Sequence, residues 1–256
     1  MMRRAPPLRH AQHDRPGPPP RRQQGIALFI VIVLVLLSML LALWASRSAL
    51  FNELVVGNDA DYQRAFEAAQ ALLLDAELDI RGERANGQAC EDDASKPSVC
   101  RRGNTTARFP LEAKEVQPLL AFLDAQAGTK CRDALCAKRT GPQDFWNNTD
   151  ASQGPTLAQM AAAGARYGQY TGAITGSNSN PILAEQGGTD GGWYWIEVLP
   201  HDPQAGNAGL VADARPLLPL HMAPQVLYRV TALARGRKAG TQVVLQQTYA
   251  RQRMKN

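Results

Sequence analysis

Histidine is scarce beyond the hydrophobic run of this chain: of the four in the sequence, only His201 and His221 follow the run. They lie twenty residues apart in proline-rich stretches, with no HExxH and no other ligand spacing. That excludes a histidine-built metal centre and leaves two surface residues. Also missing are a GxSxG elbow, a phosphate-cradling GxxxxGKS/T loop and a dinucleotide fingerprint, so the usual signatures of acyl transfer, nucleotide hydrolysis and hydride transfer are not there. No catalytic residue, metal or cofactor is expected, and the chain does not read as an enzyme. Asn178-Ser-Asn180 and the Asp190-Gly-Gly segment have calcium-loop composition but no EF-hand pattern around them, and read as turns.

Cysteine is limited to four residues, Cys90, Cys100, Cys131 and Cys136, all downstream of the hydrophobic run and none in a C-x-x-C pair. Without nearby histidines they do not describe a zinc site. An even number in an exported domain favours disulfides. Of the three possible connectivities, neighbour pairing (Cys90 with Cys100, Cys131 with Cys136) is the first expectation, with four free thiols as the alternative.

An excess of one charge is missing from most of the chain. The formal net charge is +5. The first 25 residues hold six arginines against one acid, Asp14, and account for the whole excess. The remainder is balanced, so the folded part has no overall basic character and nucleic acid is not expected as a partner. Arg235, Arg237 and Lys238 form a basic hairpin tip, which reads as three solvated charges.

Charge is absent altogether from Ile26 to Ala45, twenty residues interrupted only by Ser38. As a helix this run spans about 30 Å, the thickness of a bilayer core. The arginine-rich flank places residues 1–25 in the cytoplasm and the bulk of the chain across the membrane. A secretory signal would have a shorter core and a better cleavage site than Ala42-Leu-Trp-Ala45. A twin-arginine signal fails too, because Arg21-Arg22 runs directly into Gln-Gln-Gly and the apolar run. The long, proline-rich leader (Pro16, Pro18, Pro19, Pro20) has the composition of a disordered segment, with a plain cytoplasmic tail as the alternative.

Proline is also missing between Ile26 and Lys96, and the sequence turns amphipathic after Ala45 instead of breaking. Leu50, Leu54, Ala65, Phe66, Ala69, Leu72, Leu73, Ala76 and Ile80 recur mostly every three or four residues. Glu53, Asp61, Arg64, Glu67, Asp75 and Asp79 fill other positions, the pattern of one apolar stripe. A helix over 26–81 would be roughly 80 Å long. Gly57-Asn58-Asp59 is its weak point, and a separate helix after Gly57 is the alternative.

Residues 82–110 and 128–156 read as cysteine-containing loops, 111–127 and 157–170 as short helices, and 171–192 as turns. Strands are expected over 192–199, 225–234 and 241–250, the last two joined by the glycine-bearing link 235–240. In the last strand Val243, Leu245, Gln247 and Tyr249 share one side, which suits an antiparallel sheet with one face covered by the long helix. Trp193, Tyr194 and Trp195 are either core residues or an aromatic binding surface.

Gln24-Gly-Ile-Ala-Leu28, its apolar continuation, and Arg64-Ala-Phe-Glu-Ala-Ala-Gln70 with Asp75-Ala-Glu77 resemble the N-terminal region of PilX-type type IV pilus assembly proteins. Tyr228-Arg-Val-Thr-Ala232 through Val243-Val-Leu-Gln-Gln-Thr-Tyr249 is similar to the C-terminal strands of that family. The resemblance covers roughly residues 20–80 and 190–251, not the cysteine-containing middle. It implies an α+β, type IV pilin-like fold: a long N-terminal helix, membrane-spanning in its first half, packed on a C-terminal antiparallel β-sheet. It implies a leader, 1–25, removed by prepilin peptidase between Gly25 and Ile26, with N-methylation of Ile26. The helix 26–81 and a periplasmic or extracellular domain 82–256 would follow. The implied function is that of a minor pilin in a priming or tip complex that initiates pilus assembly, with roles in twitching motility and adhesion.

The implied partners are other minor pilins and the major pilin through the helix, a PilY-type tip adhesin, the prepilin peptidase and the inner membrane. The implied location is the bacterial inner membrane, with the C-terminus periplasmic, and then the pilus tip. Most major pilins carry glutamate at the fifth mature position; here it is Ile30, which suits a tip or priming subunit with no earlier subunit above it. A K-type minor pseudopilin of type II secretion shares these end features, although the middle segment here is short for one. A single-pass anchored periplasmic protein is the other alternative.

Overall fold

The structure, a computed structural model, describes residues 24–91, 98–102, 106–201 and 226–251. Residues 1–23, which make up most of the expected leader, and His221 lie outside them. Two compact units divide after Leu54.

The first unit is the N-terminal part of helix α1, which runs unbroken from Gln24 to Arg81. The apolar run forms it because nothing in the run stops it: there is no proline, and the lone hydroxyl, Ser38 Oγ, donates to the carbonyl of Leu34 at 2.7 Å. From Ile26 to Trp44 the large apolar side chains are between 37 % (Val33) and 72 % (Trp44) exposed, so the chain itself does not cover them. The stretch is long and apolar enough to cross a membrane. Gly57-Asn58-Asp59 does not break the helix.

In the second unit the remainder of α1 packs on a five-stranded sheet. Two short helices, α2 (Ala113–Asp124) and α3 (Leu157–Ala163), and a single turn, α4 (Pro181–Ala184), lie in the connecting segment. The strands are β1 (Cys131–Arg132), β2 (Leu135–Cys136), β3 (Gly192–Pro200), β4 (Val226–Arg235) and β5 (Gln242–Tyr249), in the order β1-β2-β3-β4-β5. The three long strands pair antiparallel, with Trp195 opposite Thr231 and Leu233 opposite Val244. The sheet departs from the expected all-antiparallel form at one pair: β2 runs parallel to β3, Leu135 facing Ile196. The crossover through 137–191 is long enough to return the chain in the same direction, which a hairpin cannot do. The segment around Cys131 and Cys136, read as loop, is the hairpin β1–β2, closed by a disulfide between those two residues.

Period-2 alternation sorts the sheet into two faces. Tyr194, Ile196, Val198, Tyr228, Val230, Ala232, Ala234 and Val243 join Ala65, Ala68, Leu72, Ala76 and Ile80 of α1 in the main core. The alanines let helix and sheet approach closely. Gly192 is one point of close approach, since a Cβ there would lie 2.6 Å from Leu72 Cδ1. The opposite face, which the sequence left open, is also covered. Trp193, Trp195 and Leu233 pack with Cys131, Cys136, Phe145 and Met160. Trp195 Nε1 donates to the carbonyl of Met160 at 2.8 Å, which satisfies its polar atom in the core. The Trp-Tyr-Trp trio is therefore core on both faces, each of the three at most 2 % exposed.

The two short helices begin with reciprocal caps. Glu115 accepts from the backbone N–H of Glu112 in α2, and Thr156 and Gln159 cap each other's backbone in α3. Pro118 sits inside α2 without ending it.

Candidate functional site

Asp61, Ala65, Ala68, Leu72, Asp75 and Asp79 are spaced four, three, four, three and four apart, so they share one face of α1. That face lies against the rest of the second unit, and all three carboxylates are buried, between 1 % and 5 % exposed. The sequence pattern assigned them to the polar side of the helix; the structure places them inside, each with its own receptor. Carboxylates buried this way must be paired or hydrogen-bonded, because an isolated buried charge is prohibitively costly.

Asp61 is held by the β4–β5 hairpin. The backbone N–H groups of Arg237 and Lys238 donate to its two oxygens at 2.9 and 3.0 Å. Lys238 Nζ reaches Asn58 Oδ1 at 3.0 Å. Burial pushes the Asp61 pKa up, but the two N–H groups, Thr241 and Arg64 outweigh it and hold it below the usual carboxylate value. Only glycine fits at 236, where a Cβ would lie 2.3 Å from Asp61 Oδ2. The basic hairpin tip is thus a docking clip for the helix, and Arg235 donates to the carbonyl of Thr189.

Asp75 accepts from the N–H of Gly168 at 2.8 Å and from the hydroxyl of Thr171. Neither partner is charged. Burial dominates and pushes its pKa up to about 6, against the lowering effect of the two hydrogen bonds.

Asp79 faces Arg101, Nε to Oδ1 at 2.8 Å and Nη2 to Oδ2 at 2.5 Å. Tyr194 also donates its hydroxyl to Oδ2 at 3.0 Å. Burial works against the Arg101 charge, and the Asp79 carboxylate more than restores it, so the guanidinium pKa moves up. The guanidinium also sits over the rings of Tyr170 and Phe109, 3.8 and 4.8 Å from their centroids. Nη1 donates to the carbonyls of Ala107 and Asp133. Cys100 and Arg101 both have left-handed φ, 62° and 52°, an arrangement costly for residues other than glycine. The disulfide from Cys90 to Cys100 anchors the segment that bears them. Of the three connectivities open to four cysteines, the structure has the neighbour pairing, and it leaves no free thiol.

Gly25 and Ile26 lie in the first turn of α1, and Ile30 one turn further on, 51 % exposed. Among the described residues no group of His, Cys, Asp and Glu is arranged to hold a metal ion. His201 directly follows β3. Asn178-Ser-Asn180 belongs to a turn: Asn180 accepts from the N–H of Ile182 at the start of α4 and donates to the carbonyl of Arg64 at 2.7 Å.

A long N-terminal helix whose continuation packs on a largely antiparallel sheet is an α+β, type IV pilin-like layout, and its exposed apolar part fits a membrane-anchored subunit. Two family models match the chain. One, PilX N-terminal, covers residues 24–73, and the other, type IV pilus assembly protein PilX C-term, covers 132–251. The chain belongs to the PilX family of type IV pilus assembly proteins. No curated protein and no solved structure matches it.

Proposed function

We propose that this pilus assembly component is a minor pilin that joins a priming complex at the pilus tip, and there supports twitching motility and adhesion. The observation that carries the proposal is the first turn of α1. Gly25-Ile26 stands at the boundary between an arginine-rich leader and an apolar helix that its own chain leaves uncovered. Cleavage there by prepilin peptidase would leave Ile26, methylated, as the mature N-terminus. The apolar helix would rest in the inner membrane as a single span and then move into a bundle of like helices. Lipid supplies no hydrophobic gradient for that bundle, so close apolar packing must hold it. Ile30 at the fifth mature position removes the carboxylate that would answer the amine of an earlier subunit, and a first subunit has none to answer. Other minor pilins, the major pilin and a PilY-type adhesin are the partners this role requires.

The experiment is intact mass and N-terminal sequencing of the membrane-extracted protein, with and without the prepilin peptidase. An N-terminal methylated Ile26 that depends on the peptidase is expected. An intact leader, or a cut after Ala45, would overturn the proposal. Loss of pili, and not of type II secretion, on deletion separates the minor pilin from the K-type pseudopilin.

A further inference from the structure

The charge balance of the folded part hides a local excess. A cleft of about 300 Å³ lies beside the C-terminal end of α1 and the Cys90–Cys100 disulfide. Among the described residues five arginines line it, Arg81, Arg101, Arg102, Arg108 and Arg251, against one acid, Asp79, and Arg102 is itself engaged. Asp79 is consumed by Arg101, and Arg81 is paired with Glu83 at 2.9 Å. Among the described residues neither Arg108 nor Arg251 has a carboxylate within ion-pair distance. Gathering like charges in a partly desolvated cleft costs free energy unless an anion answers them.

The cationic groups are also positioned. Arg108 donates Nε to the carbonyl of Arg101 and Nη2 to that of Arg102, both at 3.1 Å. Arg102 Nη2 donates to the carbonyl of Cys90 at 3.2 Å. Tethered through Nε and Nη2, the Arg108 guanidinium still presents a flat, pre-oriented edge, which matches a carboxylate. Phe109 forms one wall, and Leu111, 67 % exposed, stands at the rim.

We propose that this cleft is a docking site for an acidic segment of a partner protein, one that inserts one or two Glu or Asp side chains beside an apolar one. The enclosed volume suits a few side chains. A nucleic acid needs a longer basic track, and the balanced domain offers none. The inference rests on the assembly reading only for which partner supplies the segment.

The test uses the full chain, membrane-extracted in detergent, and a fluorescein-labelled Glu-Leu-Glu-Glu peptide followed by anisotropy. Saturable binding is expected, with the Gln-Leu-Gln-Gln analogue at least tenfold weaker. Arg251→Gln should weaken binding at least threefold and Arg108→Gln/Arg251→Gln at least tenfold, while Lys114→Gln leaves it unchanged. Arg251→Gln keeps the test alive should Arg108→Gln disturb the backbone it tethers. No saturable binding to the wild type, or equal binding by Arg251→Gln, overturns the site. Tighter binding of a single-stranded oligonucleotide that is lost in the same variants makes it a nucleic-acid site instead. Binding that appears only in Glu91→Gln/Asp92→Asn/Asp93→Asn shows that the chain's own acidic loop is the occupant and also overturns the proposal. None of these outcomes depends on the N-terminal cleavage, which is read separately by mass.

Discussion

Arg101 grips both carboxylate oxygens of Asp79, at 2.8 and 2.5 Å, across a boundary between the long helix and a disulfide-tethered segment 22 residues further on. The pair is almost fully removed from water, with side chains 4 % and 2 % exposed. Removing one partner leaves the other charge stranded. Asp79→Ala should therefore destabilise the domain by about 3–5 kcal/mol. Asp79→Leu/Arg101→Met should cost clearly less than Asp79→Ala alone, because no charge then remains buried. Urea unfolding of the detergent-solubilised protein, followed by tryptophan fluorescence, measures both. Equal losses would mean that the pair is not what joins these segments.

The disulfide and the ion pair act on the same two left-handed residues, so they should be coupled. By loop closure alone, opening the Cys90–Cys100 loop costs about 3 kcal/mol and opening Cys131–Cys136 about 2 kcal/mol. Cys90→Ser/Cys100→Ser should lose part of this through Arg101. Combined with Asp79→Ala, it should fall short of the sum by about 1 kcal/mol or more, measured in a double-mutant cycle. Strict additivity would place the two constraints on independent parts of the domain.

Asp75 should make the stability of the domain pH-dependent. Its pKa is pushed up to about 6 by burial, from an ordinary value of 3.8. The folded state thus binds a proton that the unfolded chain has already released. The associated stabilisation is complete below pH 3.8 and is lost as pH rises through about 6, by at most about 3 kcal/mol. Asp75→Asn can keep the bond from Gly168 and donate to Thr171, so it should raise stability at pH 8 and flatten the profile between pH 4 and 7. Melting temperature against pH for the two proteins measures this. A wild-type profile already flat across that window would remove Asp75 as its cause.

The three aspartates also show how far the sequence could be read. The continuous helix, the three long strands and the face shared by Val243, Leu245, Gln247 and Tyr249 follow from periods of 3.6 and 2, which need only local spacing. The 4-3-4-3-4 seam from Asp61 to Asp79 carries the same kind of signal, but residue type hid it: an aspartate on an apolar stripe is ordinarily assigned to the solvent side. Its receptors, Arg101, Thr171 and the N–H groups of Arg237 and Lys238, lie far away in sequence and leave no local pattern. The cover on the second sheet face was illegible for a similar reason, since Phe145 and Met160, which build it, sit on short elements far in sequence from the strands they cover.

The hairpin clip should yield to changes at either half. Gly236→Ala forces a Cβ against the Asp61 carboxylate and Thr241, and Asp61→Ala leaves two N–H groups without their acceptor. Each should cost about 1–3 kcal/mol. The signature is local: amide hydrogen exchange at residues 236–241 should speed up while exchange in β3 and the central part of β4 stays protected. Uniform acceleration across the sheet would make the clip part of the global core. The Asp61 pKa is held below 3.8, so its contribution persists above that pH and is lost only as pH falls through the lowered value.

Ile30 is where the proposed role meets a single side chain. Ile30→Glu places a carboxylate in the apolar helix, at a cost of up to about 3 kcal/mol at the bilayer centre and less toward its edge. Processing at Gly25-Ile26 should continue, because the junction itself is unchanged. A subunit with nothing above it gains no partner for the new charge, so pilus number should drop. The subunits that do assemble should appear along the fibre instead of at its end. Quantitative pilus shear assays with immunogold labelling read both effects. Unchanged pilus number and unchanged placement would show that the position tolerates either residue, and the tip assignment would lose its support from Ile30.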